Sequence, residues 1–166
     1  MQNGSLNHPA QRADVILIDS SPSLNDEMLA VMEASDELLV VSSPDYPTLS
    51  STLHAITVAQ DQGTKIRGLV VNKVRGKSFE LSNKDIKNAS NAKVLESLPE
   101  DIKVLSSLSR MIPVVYDHPK RDISHKFKRL AGSMVGESYK KGVLGVGGSR
   151  KKKTAKSSKS SKGKKK

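Results

Sequence analysis

Short apolar runs alternate with segments of helical period from residue 13 to residue 134. Runs at 15–18, 38–41 and 69–71 are Leu-rich or β-branched and unbroken by polar alternation, and 94–98 is a weaker one, interrupted by Glu96 and Ser97. Continuous apolar runs of this length fit strands covered on both faces. Between them, Leu24, Met28 and Val31 keep the i, i+4, i+7 spacing of an amphipathic helix, as do Leu49, Leu53 and Ile56. Ser82 with Asp85 three residues on has the form of a capping box ahead of Ile86. Asp101 is placed to cap a helix holding Val104, Leu105 and Leu108. A last helix is expected from an Asp122 N-cap, with Ile123, Phe127, Leu130 and Met134 on one face, Lys140 and Lys141 at its end and Gly142 beyond. Strand and helix in alternation predict an α/β fold, a mainly parallel sheet with helices on its faces.

Charge changes this picture only at one end. Twelve of the 28 Lys and Arg, and none of the 17 Asp and Glu, lie in residues 140–166, which leaves sixteen bases against seventeen acids in the rest. The net charge of +11 therefore belongs to the tail and describes no folded surface. From Ser149 onward the chain has no large apolar side chain, so it lacks the burial that offsets ordering entropy and is expected to be disordered. The chain divides into three: a flexible segment 1–12, a domain 13–141, and a Gly/Ser/Lys-rich tail 142–166. There is no cysteine, which excludes a disulfide framework and Cys-ligated metal. No apolar run approaches the ~20 residues of a membrane span.

Candidate chemistry starts with VILIDSSPSL, where a strand ends in Asp19 and leads through Ser20, Ser21 and Pro22 into a helix. Ligands of α/β sheets bind at the carboxyl ends of strands, so Asp19 could support a Mg²⁺ ion through water. It could equally cap the helix, with Pro22 setting the first turn. Asn72 ends the run GLVVN, a common place for a turn former. His8, His54, His118 and His125 show no metal-ligand spacing. The string GVGGSRKKKT lacks the spacing, the preceding strand and the following helix of a phosphate loop.

Four strings in order carry a resemblance: VILIDSSPSL, ASDELLVVSSPDYPTL, IRGLVVNKV and VLESLPEDIKVLSSLSRMIPVV. They resemble the Walker B and switch II segment, the Thr/Ser-Pro-Glu strand end (here Ser43, Pro44 and Asp45), the Gly-x-x-x-Asn strand and the Pro-Glu-Asp loop of the MinD/ParA-like P-loop ATPases, in particular archaeal MinD-like members. The resemblance implies a partial doubly wound sheet in which Asp19 supports the Mg²⁺ site and Ser20, Ser21 and Pro22 form switch II. It further implies that Asn72 meets the adenine edge and that Pro99, Glu100 and Asp101 lie beside the base. Ser21 stands where the family often has its first Pro, and Arg110 with Met111 where it usually has Gly. The family's Lys-Gly-Gly-x-Gly-Lys-Thr loop and its catalytic Asp have no counterpart in this sequence.

That loop supplies the amides and the lysine that hold the β- and γ-phosphates, so tight binding of ATP and Mg²⁺ and hydrolysis by this chain alone are not expected. A truncated product, a mispredicted start or half of a split protein is expected instead, with Val15 to Ile18 left as an unpaired, aggregation-prone edge. The expected role is a MinD/ParA-like ATPase subunit or fragment in nucleotide-dependent positioning of the division site or of chromosomes and plasmids, working as a dimer or with a complementing N-terminal half. The alternative is a non-catalytic interaction module. Its basic tail is a solubility tail, a ligand for anionic membrane or a ligand for nucleic acid. A cytoplasmic location is expected, with a peripheral place on the inner face of the cell membrane as its variant.

Overall fold

The computed structural model describes residues 13–20 and 25–139. Helix α1 (Asp26–Ala34) leads to strand β1 (Glu37–Ser42), helix α2 (Tyr46–Asp61), strand β2 (Lys65–Val74), helix α3 (Asn83–Ser90) and strand β3 (Val94–Pro99). Helices α4 (Ile102–Leu108), α5 (Val114–Asp117) and α6 (Asp122–Met134) complete the described chain. The sheet has the order β1-β2-β3 with both pairs parallel. Parallel neighbours need a crossover, and α2 and α3 supply the two.

Helices cover both faces of the sheet, as the unbroken apolar runs require. On one side Leu49 and Ile56 of α2 and Ile86 of α3 pack with Val40, Leu69 and Val71. On the other, Val114 and Ile123 pack with Val70 and Leu98, flanked by Phe127 and Leu130. Successive residues of β2 thus serve opposite cores, the period-2 geometry of a strand. Burying Leu69, Val70 and Val71, all at 2 % exposure or less, gives roughly 1.5–3 kcal/mol each before ordering costs.

Local signals set the helix starts. Asn25 Oδ1 accepts the Met28 amide at 3.0 Å, Asp45 Oδ1 accepts that of Thr48 at 2.9 Å, and Ser82 and Asp85 close the expected capping box. Asp101 caps α4 through the Lys103 amide. Two backbone irregularities have longer reach. In the first, β1 pairs Leu38 with Ile66 but Leu39 with Gly68, so Arg67 bulges out of register. Its guanidinium pairs with Glu37 and donates to the Ser133 carbonyl at 2.6 Å, tying the sheet to the negative end of α6. The second lies in β2 at Asn72 and Lys73.

The structure corrects several expectations. Residues 15–18 belong to no strand: Val15, Ile16, Leu17 and Ile18 are 47 %, 49 %, 73 % and 51 % exposed. A strand forms only against a neighbour that takes its backbone hydrogen bonds, and no described residue does so. Leu105 and Leu108 do not enter the core either. Helix α6 has Arg121 rather than Asp122 at its N-cap and stops at Met134, not near Gly142. An earlier glycine, Gly136 at φ +75°, takes the left-handed position, and the Glu137 amide returns to the Gly132 carbonyl at 2.8 Å, a Schellman closure. The segment 1–12, the boundary at Gly142 and the tail lie outside the described residues.

Candidate functional site

Parallel strands bring their carboxyl ends to one edge, and there the loops after β2 and β3 meet. β2 pairs Val71 with Ser97 and then Val74 with Pro99, so two residues, Asn72 and Lys73, stand against one, Leu98. This is a bulge, and Lys73 at φ +58° takes the left-handed turn within it. The Lys73 amide donates to Asn72 Oδ1 at 2.9 Å. That bond holds the Asn72 side-chain oxygen against its own backbone turn.

The 99–101 loop is fastened beside it. The Glu100 amide donates to the Val74 carbonyl at 2.9 Å, and Arg75 reaches Glu100 through Nε at 2.5 Å and Nη2 at 2.9 Å, a two-point clamp. Asp101 takes a second clamp from Arg121, both bonds at 2.9 Å. The Arg75 guanidinium holds the Glu100 carboxyl below its ordinary value. Burial pushes Asp101 up, but the Lys103 amide and Arg121 outweigh it and keep it low. Both are therefore anions at neutral pH. A third carboxylate, Glu80, folds the loop after β2 by accepting the amides of Arg75, Gly76 and Lys77 at 2.9, 2.8 and 3.1 Å.

Asn72, Pro99, Glu100 and Asp101 are thus joined at one end of the sheet. Glu100 and Asp101 turn their carboxylates to arginines, so what these positions offer a ligand is loop shape more than charge. Arg75, Glu80 and Arg121 were not anticipated; single charged residues in loops are too common in sequences to have singled them out. The turn after β1 reaches the same loop, where the Leu81 amide donates to the Pro44 carbonyl at 3.0 Å. Asp19 lies apart from these contacts and is exposed, and the Ser20 hydroxyl donates to the Met28 sulfur at 2.9 Å. Ser21 and Pro22 lie outside the described residues.

A side-chain amide on a rigid bulge, beside a clamped loop, suits the edge of a planar base. Among the described residues no group of three or more His, Asp or Glu side chains could hold a metal ion. No helix of the described residues is long and apolar enough to cross a membrane.

No family profile matches the chain. An uncharacterized ATP-binding protein of Methanocaldococcus jannaschii is 28% identical over 126 residues, which is 76% of this chain and 48% of that protein. The structure superposes on the cell division ATPase MinD of Pyrococcus furiosus with a TM-score of 0.64 and 22% identity, covering 69% of this chain and 48% of that one. It matches the septum site-determining protein MinD of Pyrococcus horikoshii, complexed with Mg-ADP, with a TM-score of 0.63 and 20% identity, over 68% and 46% of the two chains. The chain spans about half the length of the curated relatives it matches.

Proposed function

We propose, for a chain that is MinD/ParA-like in sequence and in fold, that residues 25–139 form the base-binding side of an adenine-nucleotide site in an ATPase that positions cell-division or partition machinery. The observation that carries this reading is the bulge at Asn72 and Lys73, held beside the 99–101 loop by the Arg75–Glu100 clamp. Bulges re-aim a side chain next to a site. Here the bulge presents an amide that can both donate and accept, as the Watson–Crick edge of adenine does. The relatives support the nucleotide: an ATP-binding protein and a MinD complexed with Mg-ADP.

Asp19 is proposed to support Mg²⁺ through water, with Ser20, Ser21 and Pro22 as the adjoining switch. The sequence has no Gly-x-x-x-x-Gly-Lys-Ser/Thr loop, and the base is proposed to account for most of the affinity shown by the 166-residue chain. The expected result is that adenosine and ATP bind weakly and within about tenfold of each other, a difference of about 1.4 kcal/mol, and that guanosine binds less well. Asn72→Ala should remove the preference for adenine and leave the thermal midpoint nearly unchanged. Equal binding of adenosine and guanosine, or Mg²⁺·ATP held about a thousandfold tighter than adenosine, would overturn this assignment.

A second reading makes the chain an interaction module for polyanions, favoured by the twelve cations and no acid of residues 140–166. Counterion release would make such binding fall steeply with salt. Vesicles of anionic lipid and duplex DNA, each titrated at two salt concentrations, test it. Indifference to salt, or no binding to either, speaks against it.

A further inference from the structure

Helix α4 ends on a methionine where glycine is usual. The Ile112 amide donates to the Ser107 carbonyl at 3.0 Å and the Met111 amide to the Leu108 carbonyl at 2.9 Å. These are the two bonds of a Schellman closure, with Met111 in its left-handed position at φ +56°. Glycine fits there without strain, whereas a residue with a Cβ is held against its own preference. Burial does not offset that strain, because Met111 is 92 % exposed. Strain kept at an exposed apolar side chain points to a contact outside the chain's own fold.

Met111 lies in the turn between Leu108 and Ile112, and both of these line an apolar groove of about 850 Å³ between α6 and the α4–α5 corner. Tyr116, Pro119, Phe127 and Lys128 continue the lining. Leu108 is 69 % and Tyr116 80 % exposed, and contiguous apolar surface of this kind marks an interaction site. Among the described residues no acid lines the groove. Lys128 does, and Lys120 follows the lining Pro119; neither has an ion pair among the described residues. Asp117, next to Tyr116, is taken up by the Ser107 hydroxyl at 2.6 Å and by Arg110, and Asp122 acts on Arg129. The charge left at the groove is positive.

We propose that this groove, with Met111 at its rim, docks an amphipathic helix of a partner protein whose apolar stripe is flanked by Asp and Glu. A helix lays side chains at i, i+3 or i+4 and i+7 into an apolar groove, and an unbranched methionine at the rim adapts to what arrives. The flanking acids face Lys120 and Lys128, which sets the sign of the partner. A second copy of this chain meets the groove less well, because a two-fold contact would bring the same cations together. A flat lipid surface would touch Met111 and leave the hollow between α6 and the corner unfilled.

The probe is a displayed library of helical peptides about four turns long, with apolar residues at i, i+3, i+4 and i+7 and the flanking positions varied among Asp, Glu, Ser, Lys and Arg. It is selected on the full chain with an excess of free peptide 140–166, which draws off sequences that bind only the lysine run. Asp and Glu should be enriched in the flanks over Lys and Arg. The selected peptides should bind Met111→Gly at least about tenfold less tightly than the unchanged chain, while the thermal midpoint of that variant is equal or higher, since the change relieves strain. Tyr116→Ala should weaken them likewise, and Lys120→Glu with Lys128→Glu should reverse the flank preference. Peptides that bind Met111→Gly as tightly as the unchanged chain, or flanks with no preference for acids, overturn the proposal. A dimer of the unchanged chain, or its binding to vesicles of anionic lipid, that Met111→Gly abolishes also overturns it, by giving the surface to a second copy or to a membrane.

Discussion

At the scale of single residues, the candidate site stores strain at Lys73. A side chain at φ +58° costs roughly 1–2 kcal/mol relative to the ordinary conformation. Glycine removes that cost but adds about 0.5–1 kcal/mol of backbone entropy. Lys73→Gly is thus expected to stabilise the fold by about 0.5 kcal/mol, read from denaturant midpoints. A loss of stability would mean that the Lys73 side chain makes contacts worth more than the strain it relieves. Asn72 was a chemical candidate only through the resemblance of IRGLVVNKV to the MinD/ParA-like strand; its place at the end of an apolar run by itself pointed to a turn former. Its place in a bulge was not readable, because that depends on a register slip against β3, and register is a property of two strands together.

At the scale of elements, the capping signals read well because each is closed within a few residues. Ser82 and Asp85 satisfy each other's backbone donors through bonds at 3.2 and 3.3 Å. Ser82→Ala should cost about 1 kcal/mol, measured as a lower thermal midpoint with unchanged nucleotide response. The end of α6 read poorly for the opposite reason. Gly142 and Gly136 are equally good stop signals locally, and Gly136 takes the role where residues 137–139 fold back onto Gly132 and His125. Helix α5 was missed altogether. Its four residues are too few to show a period, and its place follows from Val114 packing against Ile123 across the sheet face.

At the scale of the whole molecule, carboxylates join elements distant in sequence. Glu96 of β3, 9 % exposed, takes bonds from Arg129 at 2.6 Å and Lys126 at 3.2 Å, both on α6. Burial pushes this carboxyl up, but Arg129, the Ser97 amide and Lys126 outweigh it and bring it below its ordinary 4.5. A carboxyl lowered in the folded state stabilises the fold fully above its unfolded value and loses that contribution as pH falls through the folded one. Asp101 shifts in the same direction. The thermal midpoint should therefore hold from about pH 7 to about pH 5.5 and drop once pH passes below about 4.5. Glu96→Gln should cost about 1.5 kcal/mol at about pH 7, the low end for bonds to a charged group because its partners are partly exposed. That difference should shrink towards about pH 3; a constant difference across the range would show that the charge is not what matters.

The sequence alone determined the alternation of strand and helix, the two-sided burial of the strands and the caps at Ser82 and Asp101. Those features follow from side-chain period and from donors satisfied a few residues away. It also determined that the positive charge resides after residue 139, since counting charge needs no fold. Only the tertiary structure decided that Val15 to Ile18 stay outside the sheet, that β2 bulges at Asn72 and Lys73 against β3, and that Arg75, Arg121 and Arg129 find Glu100, Asp101 and Glu96. Each of the three arginine pairs joins residues some twenty or more apart, and such a contact exists only once the sheet has set which distant segments are neighbours.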